Sequence, residues 1–168
     1  MRNLLFTAAL LLATSASAGS TPIRELMQGS GGQVRLDNNM LMVGKRTSAG
    51  KDMTMGVAYY SNVKAGRLDE IYLLTFRSSL SAAELDLLGD NVARIAKTCF
   101  NLSADRKSDI KSFLRVYNDL GPTVKATSFG PMKLVFDRGY TESGPYTAVR
   151  MSRYGTPGVA PWVNYCVK

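Results

Sequence analysis

The hydrophobic period of this chain changes twice, and that order limits what it can build. From Met40 to Arg77 apolar residues fall into short alternating runs. From Ser81 to Tyr117 they recur every three or four residues, and from Met132 to Tyr154 alternation returns. Strands, then helices, then strands points to an α+β domain: a mainly antiparallel sheet with two central helices packed on one face. A parallel sheet would need strands and helices interleaved, and the pattern does not interleave them.

The helical block carries the strongest local signals. Ser81-Ala82-Ala83-Glu84 is a capping box, in which Ser and Glu each satisfy an orphan amide at a helix start. Leu85, Leu88, Val92, Ile95 and Cys99 then line one face, and Asp90 and Arg94 stand four apart on another. A second helix follows Ser103, with Ile110, Phe113, Leu114 and Tyr117 on its apolar side, and Gly121-Pro122 ends it. Before this block, three strands are expected within residues 40–77. Met53, Met55, Val57 and Tyr59 alternate along the middle one, and Ile71 to Phe76 is apolar enough for a central strand. The Met40, Met42, Met53 and Met55 stripe reads as core. After the helices, Met132, Leu134 and Phe136 mark one strand, and Val149 and Met151 mark its partner. Thr156-Pro157-Gly158-Val159 fits a type II turn. Near the start, a short helix is expected over Thr21–Gln28, capped by Thr21 with Pro22 in its first turn, followed by a flexible Gly29-Ser30-Gly31-Gly32 connection.

Residues 1–18 read as a cleavable leader rather than as part of the fold. Arg2 precedes an apolar run from Leu4 to Ala13, and Ala16-Ser17-Ala18 supplies the small-x-small pattern of signal peptidase. The apolar run falls short of the roughly 20 residues a membrane span needs. The expectation is therefore an exported chain, periplasmic or extracellular, with one domain over residues 19–168. Without Arg2, 20 of the 21 basic residues remain against 13 acidic ones, a formal charge of +7. In an exported chain the two cysteines, Cys99 and Cys166, are expected to form a disulfide.

Histidine is absent, which removes the Ser-His-Asp and Cys-His machineries and histidine zinc sites. Ser-x-x-Lys occurs at Ser61–Lys64 and Ser108–Lys111, without the Ser-Asp-Asn or Lys-Thr-Gly that accompany it in penicillin-recognising enzymes. Two carboxylate pairs could serve a hydrolase. Asp69 and Glu70 are strand neighbours, expected on opposite faces; Asp86 and Asp90 are expected on a solvated helix face. Asp37-Asn38-Asn39 lacks the spacing of a calcium loop, and Asn101-Leu102-Ser103 matches a glycosylation acceptor. No cofactor or metal motif stands out.

One constellation has the composition of a binding surface: Arg138, Tyr140, Tyr146, Arg150, Arg153, Tyr154 and Trp162 interleave cations with aromatic rings. The function expected from sequence is thus an exported, non-enzymatic interaction module. Its partner would be an anionic polymer or an exported or envelope protein. A polyanion-binding protein and a small hydrolase using a Ser–Lys or carboxylate pair are the alternatives.

Overall fold

The computed structural model describes residues 19–37, 40–62 and 66–168. The expected leader, Asn38-Asn39 and Lys64 of the first Ser-x-x-Lys lie outside them. In chain order the elements are β1 (Ser20–Pro22), α1 (Ile23–Gln28), β2 (Gln33–Asp37), β3 (Met40–Arg46), β4 (Asp52–Asn62), β5 (Arg67–Thr75), α2 (Ala82–Phe100), α3 (Lys107–Asn118), β6 (Thr123–Phe129), β7 (Met132–Thr141), β8 (Gly144–Arg153) and β9 (Tyr165–Val167).

The strands form one nine-stranded sheet with a main order of β2-β3-β4-β5-β8-β7-β6. Every pairing is antiparallel except β1 with β9, which also touches the start of β5 through Arg67 and Val167. Two meanders, β2 to β5 and β6 to β8, meet where β5 pairs with β8. The helices cross from one meander to the other, so the apolar β5 lies at the centre, as its composition suggested.

The core lies between the helices and one face of this sheet. Cross-strand neighbours Leu41, Val57, Leu73, Val149 and Phe136 form a single buried row across five strands. Leu85, Leu88, Val92, Ile95 and Cys99 press on it from α2, and Ile110 and Leu114 from α3, at the spacing read from sequence. Each such Leu, Ile or Val contributes about 1.5–3 kcal/mol by leaving water. The capping box is formed: Glu84 accepts from Ser81 N at 2.9 Å, and Ser81 Oγ accepts from Glu84 N at 3.4 Å. The Cys99–Cys166 disulfide ties the last turn of α2 to β9, with both cysteines buried.

Several expectations are corrected. Thr21 and Pro22 belong to β1; α1 begins at Ile23 with Pro22 as an N-cap that offers no side-chain bond. β2 and β6 were not anticipated. Both are sheet edges, and their mostly exposed side chains carry little apolar alternation. Met53 and Met55 are core, but Met40 and Met42 are half-buried on the other face. Asp90 pairs not with Arg94 but with Lys111 at 2.8 Å and Lys107 at 2.9 Å. Arg94 donates instead to the Gly29 carbonyl. The cause is α3, which lays its lysines against the acidic side of α2; Asp86 likewise takes Arg115 at 2.6 Å.

A β-bulge overturns the expectation for Asp69 and Glu70. Tyr60 pairs with Glu70 while Ser61 pairs with Leu68, so Asp69 is an extra residue in β5. Leu68 and Ile71 are both fully buried although three positions apart. The bulge absorbs the odd residue and leaves both carboxylates off the core side, lining one cleft.

Candidate binding site on the open sheet face

The seven residues read as a basic-aromatic constellation are not brought to one surface. Arg138 follows Phe136 by two positions and Arg153 follows Met151 by two, so strand alternation carries both guanidiniums to the helix-covered face. Both are 6% exposed. Arg138 donates to the carbonyl of Asn118, the last residue of α3, to that of Leu120 just beyond it, to Asn118 Oδ1 at 2.7 Å and to Thr147 Oγ1 at 3.2 Å. Arg153 donates to the Phe100 carbonyl at 2.8 Å and to Asn101 Oδ1 at 3.2 Å. Trp162 is 1% exposed, stacks on Phe100 with ring centroids 5.6 Å apart, and donates Nε1–H to the Cys99 carbonyl.

Two buried arginines and a tryptophan thus cap the C-termini of the two long helices. Burial lowers the pKa of both guanidiniums. Among the described residues neither has a carboxylate partner within ion-pair distance. The negative ends of the helix dipoles and their orphan carbonyls take that place.

Tyr146 and Arg150 do share a face, the one without helices among the described residues. Register builds a cluster around them. Tyr72, Arg150 and Val135 form one cross-strand row, and Glu70, Ser152 and Lys133 the next. Tyr72 donates its hydroxyl proton to Glu70 Oε1, and the Arg150 guanidinium lies over the Tyr72 ring, 6.0 Å from its centre and 3.9 Å from the Glu70 carboxylate. Tyr60 meets the Tyr72 ring edge-on. Tyr146 donates to Asp137 Oδ1 at 3.1 Å, and its ring lies across Gly139, where any Cβ would come within 3.0–3.2 Å of it. Burial first, and then a carboxylate partner, raises the pKa of Tyr72 and of Tyr146, so both keep their protons. Tyr154, just past the end of β8, is 87% exposed.

Sequence reading missed Tyr72, Lys133, Asp137 and Ser152. The available signal was their phase: each stands one position from a core residue of its strand, as Arg150 does.

Ser152 lines a cleft of about 200 Å³ with Asp69, Glu70, Lys133, Arg150 and Tyr154, and Arg153 also borders it. Among the described residues Asp69 Oδ1 is buried without a hydrogen-bond partner, and burial raises the pKa of the group. Of the larger clefts, two hold charged groups that are already engaged. One, of about 490 Å³, holds Arg138 and Asn118; the other, of about 480 Å³, holds Lys107 bound to Asp90 and Arg94 bound to Gly29.

The second Ser-x-x-Lys offers no ready base. Lys111 is held by Asp90 and Asp86, and the Asp90 hydrogen bond raises its pKa, whereas a general base needs it lowered. Ser108 is exposed and directs its hydroxyl at the Asp105 carbonyl. Among the described residues no group of three metal-ligating side chains converges, and no helix is long and apolar enough to cross a membrane. Set against family models, curated proteins and solved structures, the chain has no significant match to any.

Proposed function

We propose that this is an exported binding module, acting by capture rather than turnover, whose ligand seats on the helix-free sheet face. The observation that supports this is the Glu70–Tyr72–Arg150 cluster. It places charge and aromatic surface at the centre of a sheet face that contributes nothing to the core. Export rests on the leader pattern of residues 1–18, and the buried disulfide is consistent with an oxidising compartment. A polyanion surface loses support because Arg138, Arg153 and Trp162 are committed to the core.

The test is affinity capture and native mass spectrometry on protein recovered from its own export compartment, comparing the natural chain with Arg150→Glu and Tyr146→Ala. A bound species retained by the natural chain and lost from both variants is the expected result. A bound species indifferent to both, or turnover of a substrate by the purified protein, overturns the reading.

A further inference from the structure

The cleft over Ser152 goes further than a general binding face, although it rests on the binding-module reading. Its walls carry opposite charge. Register sets Glu70 on β5, Ser152 on β8 and Lys133 on β7 in one row. Adjacent strands lie about 4.8 Å apart, so acid and base face each other across one small side chain. The bulge adds Asp69 to the acidic wall, and Arg150, two residues from Ser152 on the same face, extends the basic one.

Each wall holds one group without a partner among the described residues. Among the described residues Asp69 Oδ1 is buried with no donor, a rare condition in native proteins. Among the described residues Lys133 has no carboxylate within ion-pair distance, and Arg150 reaches Glu70 only at 3.9 Å. The volume of about 200 Å³ equals that of six or seven waters at about 30 Å³ each, the scale of one amino acid. A bare metal ion would meet two cations beside two carboxylates. A polyanion would meet the acids.

We infer that the cleft binds a small zwitterion, an α-amino acid or short peptide, with its ammonium group on Asp69 and Glu70 and its carboxylate on Lys133 and Arg150. The exposed Tyr154 ring stands at the rim, where it can cover the ligand's side chain.

Titration calorimetry on the purified protein tests this with three sets of probes: the free L-amino acids, Ala-Ala and Gly-Gly as dipeptides, and ethylamine and acetate as half-ligands. At least one amino acid or dipeptide is expected to bind, and which set it comes from identifies the source. The half-ligands are expected to bind about tenfold or more weakly, since each lacks one charge-assisted contact. Asp69→Asn and Lys133→Met, confirmed as folded by thermal melts, are each expected to weaken zwitterion binding about tenfold or more. Absence of binding by every zwitterion overturns the inference. So does a half-ligand that binds as well, or a loss in only one of the two variants. If zwitterions fail while Arg150→Glu and Tyr146→Ala still release a captured species, this inference falls and the binding-module reading stands.

Discussion

Arg153 reaches from the end of β8 to the end of α2 and donates to the Phe100 carbonyl at 2.8 Å. Its guanidinium also lies over Trp162, 5.5 Å from the ring centre, and Trp162 itself caps the adjacent Cys99 carbonyl. Phe100, Trp162 and Arg153 therefore make one stack in which sheet, helix and C-terminal tail converge beside the disulfide. The charge that looked like a ligand contact is a fold contact.

Removing that cap should be costly. Arg153→Met keeps the apolar stem and strips the donors, leaving the Phe100 carbonyl buried and unmet. The expected loss is about 1.5–3 kcal/mol in urea unfolding, the range for a hydrogen bond to a charged group. Trp162→Phe keeps an aromatic ring on Phe100 but frees the Cys99 carbonyl, with an expected loss of about 1–3 kcal/mol. Wild-type stability in either variant would mean that water caps α2 equally well.

Arg138 and Asn118 should prove energetically coupled. Asn118 bonds Leu80 in both directions, accepting from its amide at 3.0 Å and donating to its carbonyl at 2.9 Å, and also accepts from Arg138. In a double-mutant cycle of Arg138→Met and Asn118→Ala, each single change orphans the other's partner. The two losses should fall short of additivity by about 0.5–3 kcal/mol. Strict additivity would show that the two side chains anchor α3 independently.

What the sequence made legible is what neighbouring residues decide. The Ser81–Glu84 capping box, the apolar face of α2 and the Met132–Phe136 alternation are local patterns, and each formed as read. The Thr156–Val159 turn closed as well, with Val159 N donating to the Thr156 carbonyl and Gly158 at φ 85°. Edge strands β2 and β6 escaped because one partner and an exposed side chain leave little trace in hydropathy. The bulge at Asp69 escaped because only pairing with β4 reveals the extra residue. Arg138 and Arg153 were legible in principle: each continues the buried phase of its strand. Reading them as surface ranked residue type above periodicity, and periodicity was the better guide.

The disulfide should be a large part of the tail's hold on the sheet. It closes a loop with a sequence separation of 67 residues, worth about 4 kcal/mol in the chain-entropy model. Reduction is expected to lower the melting temperature clearly, and hydrogen exchange should quicken first in β9 and β1, which pair with each other and only weakly with the rest. Thiols that alkylate freely in protein kept oxidised, or an unchanged melt after reduction, would contradict this.

Acid unfolding should separate the carboxylates that hold the fold from the one kept for a ligand. Burial works to raise the pKa of Glu84 and Asp90. Hydrogen bonds from Ser81 outweigh it at Glu84, and those from Lys111 and Lys107 at Asp90, so both end below their ordinary values of 4.5 and 3.8. Their stabilisation is complete above those values and is lost as pH falls through the lowered ones. Asp69 runs the other way. Burial raises it above 3.8, so the native state holds the proton more tightly than the unfolded chain does. Its contribution is most favourable below 3.8 and declines as pH rises through the raised value. Asp69→Asn should therefore gain stability in urea unfolding near neutral pH, because the amide carries no charge for burial to penalise. The gain should vanish in acid, where the natural carboxyl is already protonated. Glu84→Gln should lose stability near neutral pH and flatten the acid limb. A stability gain at Asp69 bought at the expense of zwitterion binding would mark it as a site residue; equal stability of Asp69→Asn and the natural chain near neutral pH would mean the carboxylate already has its donor.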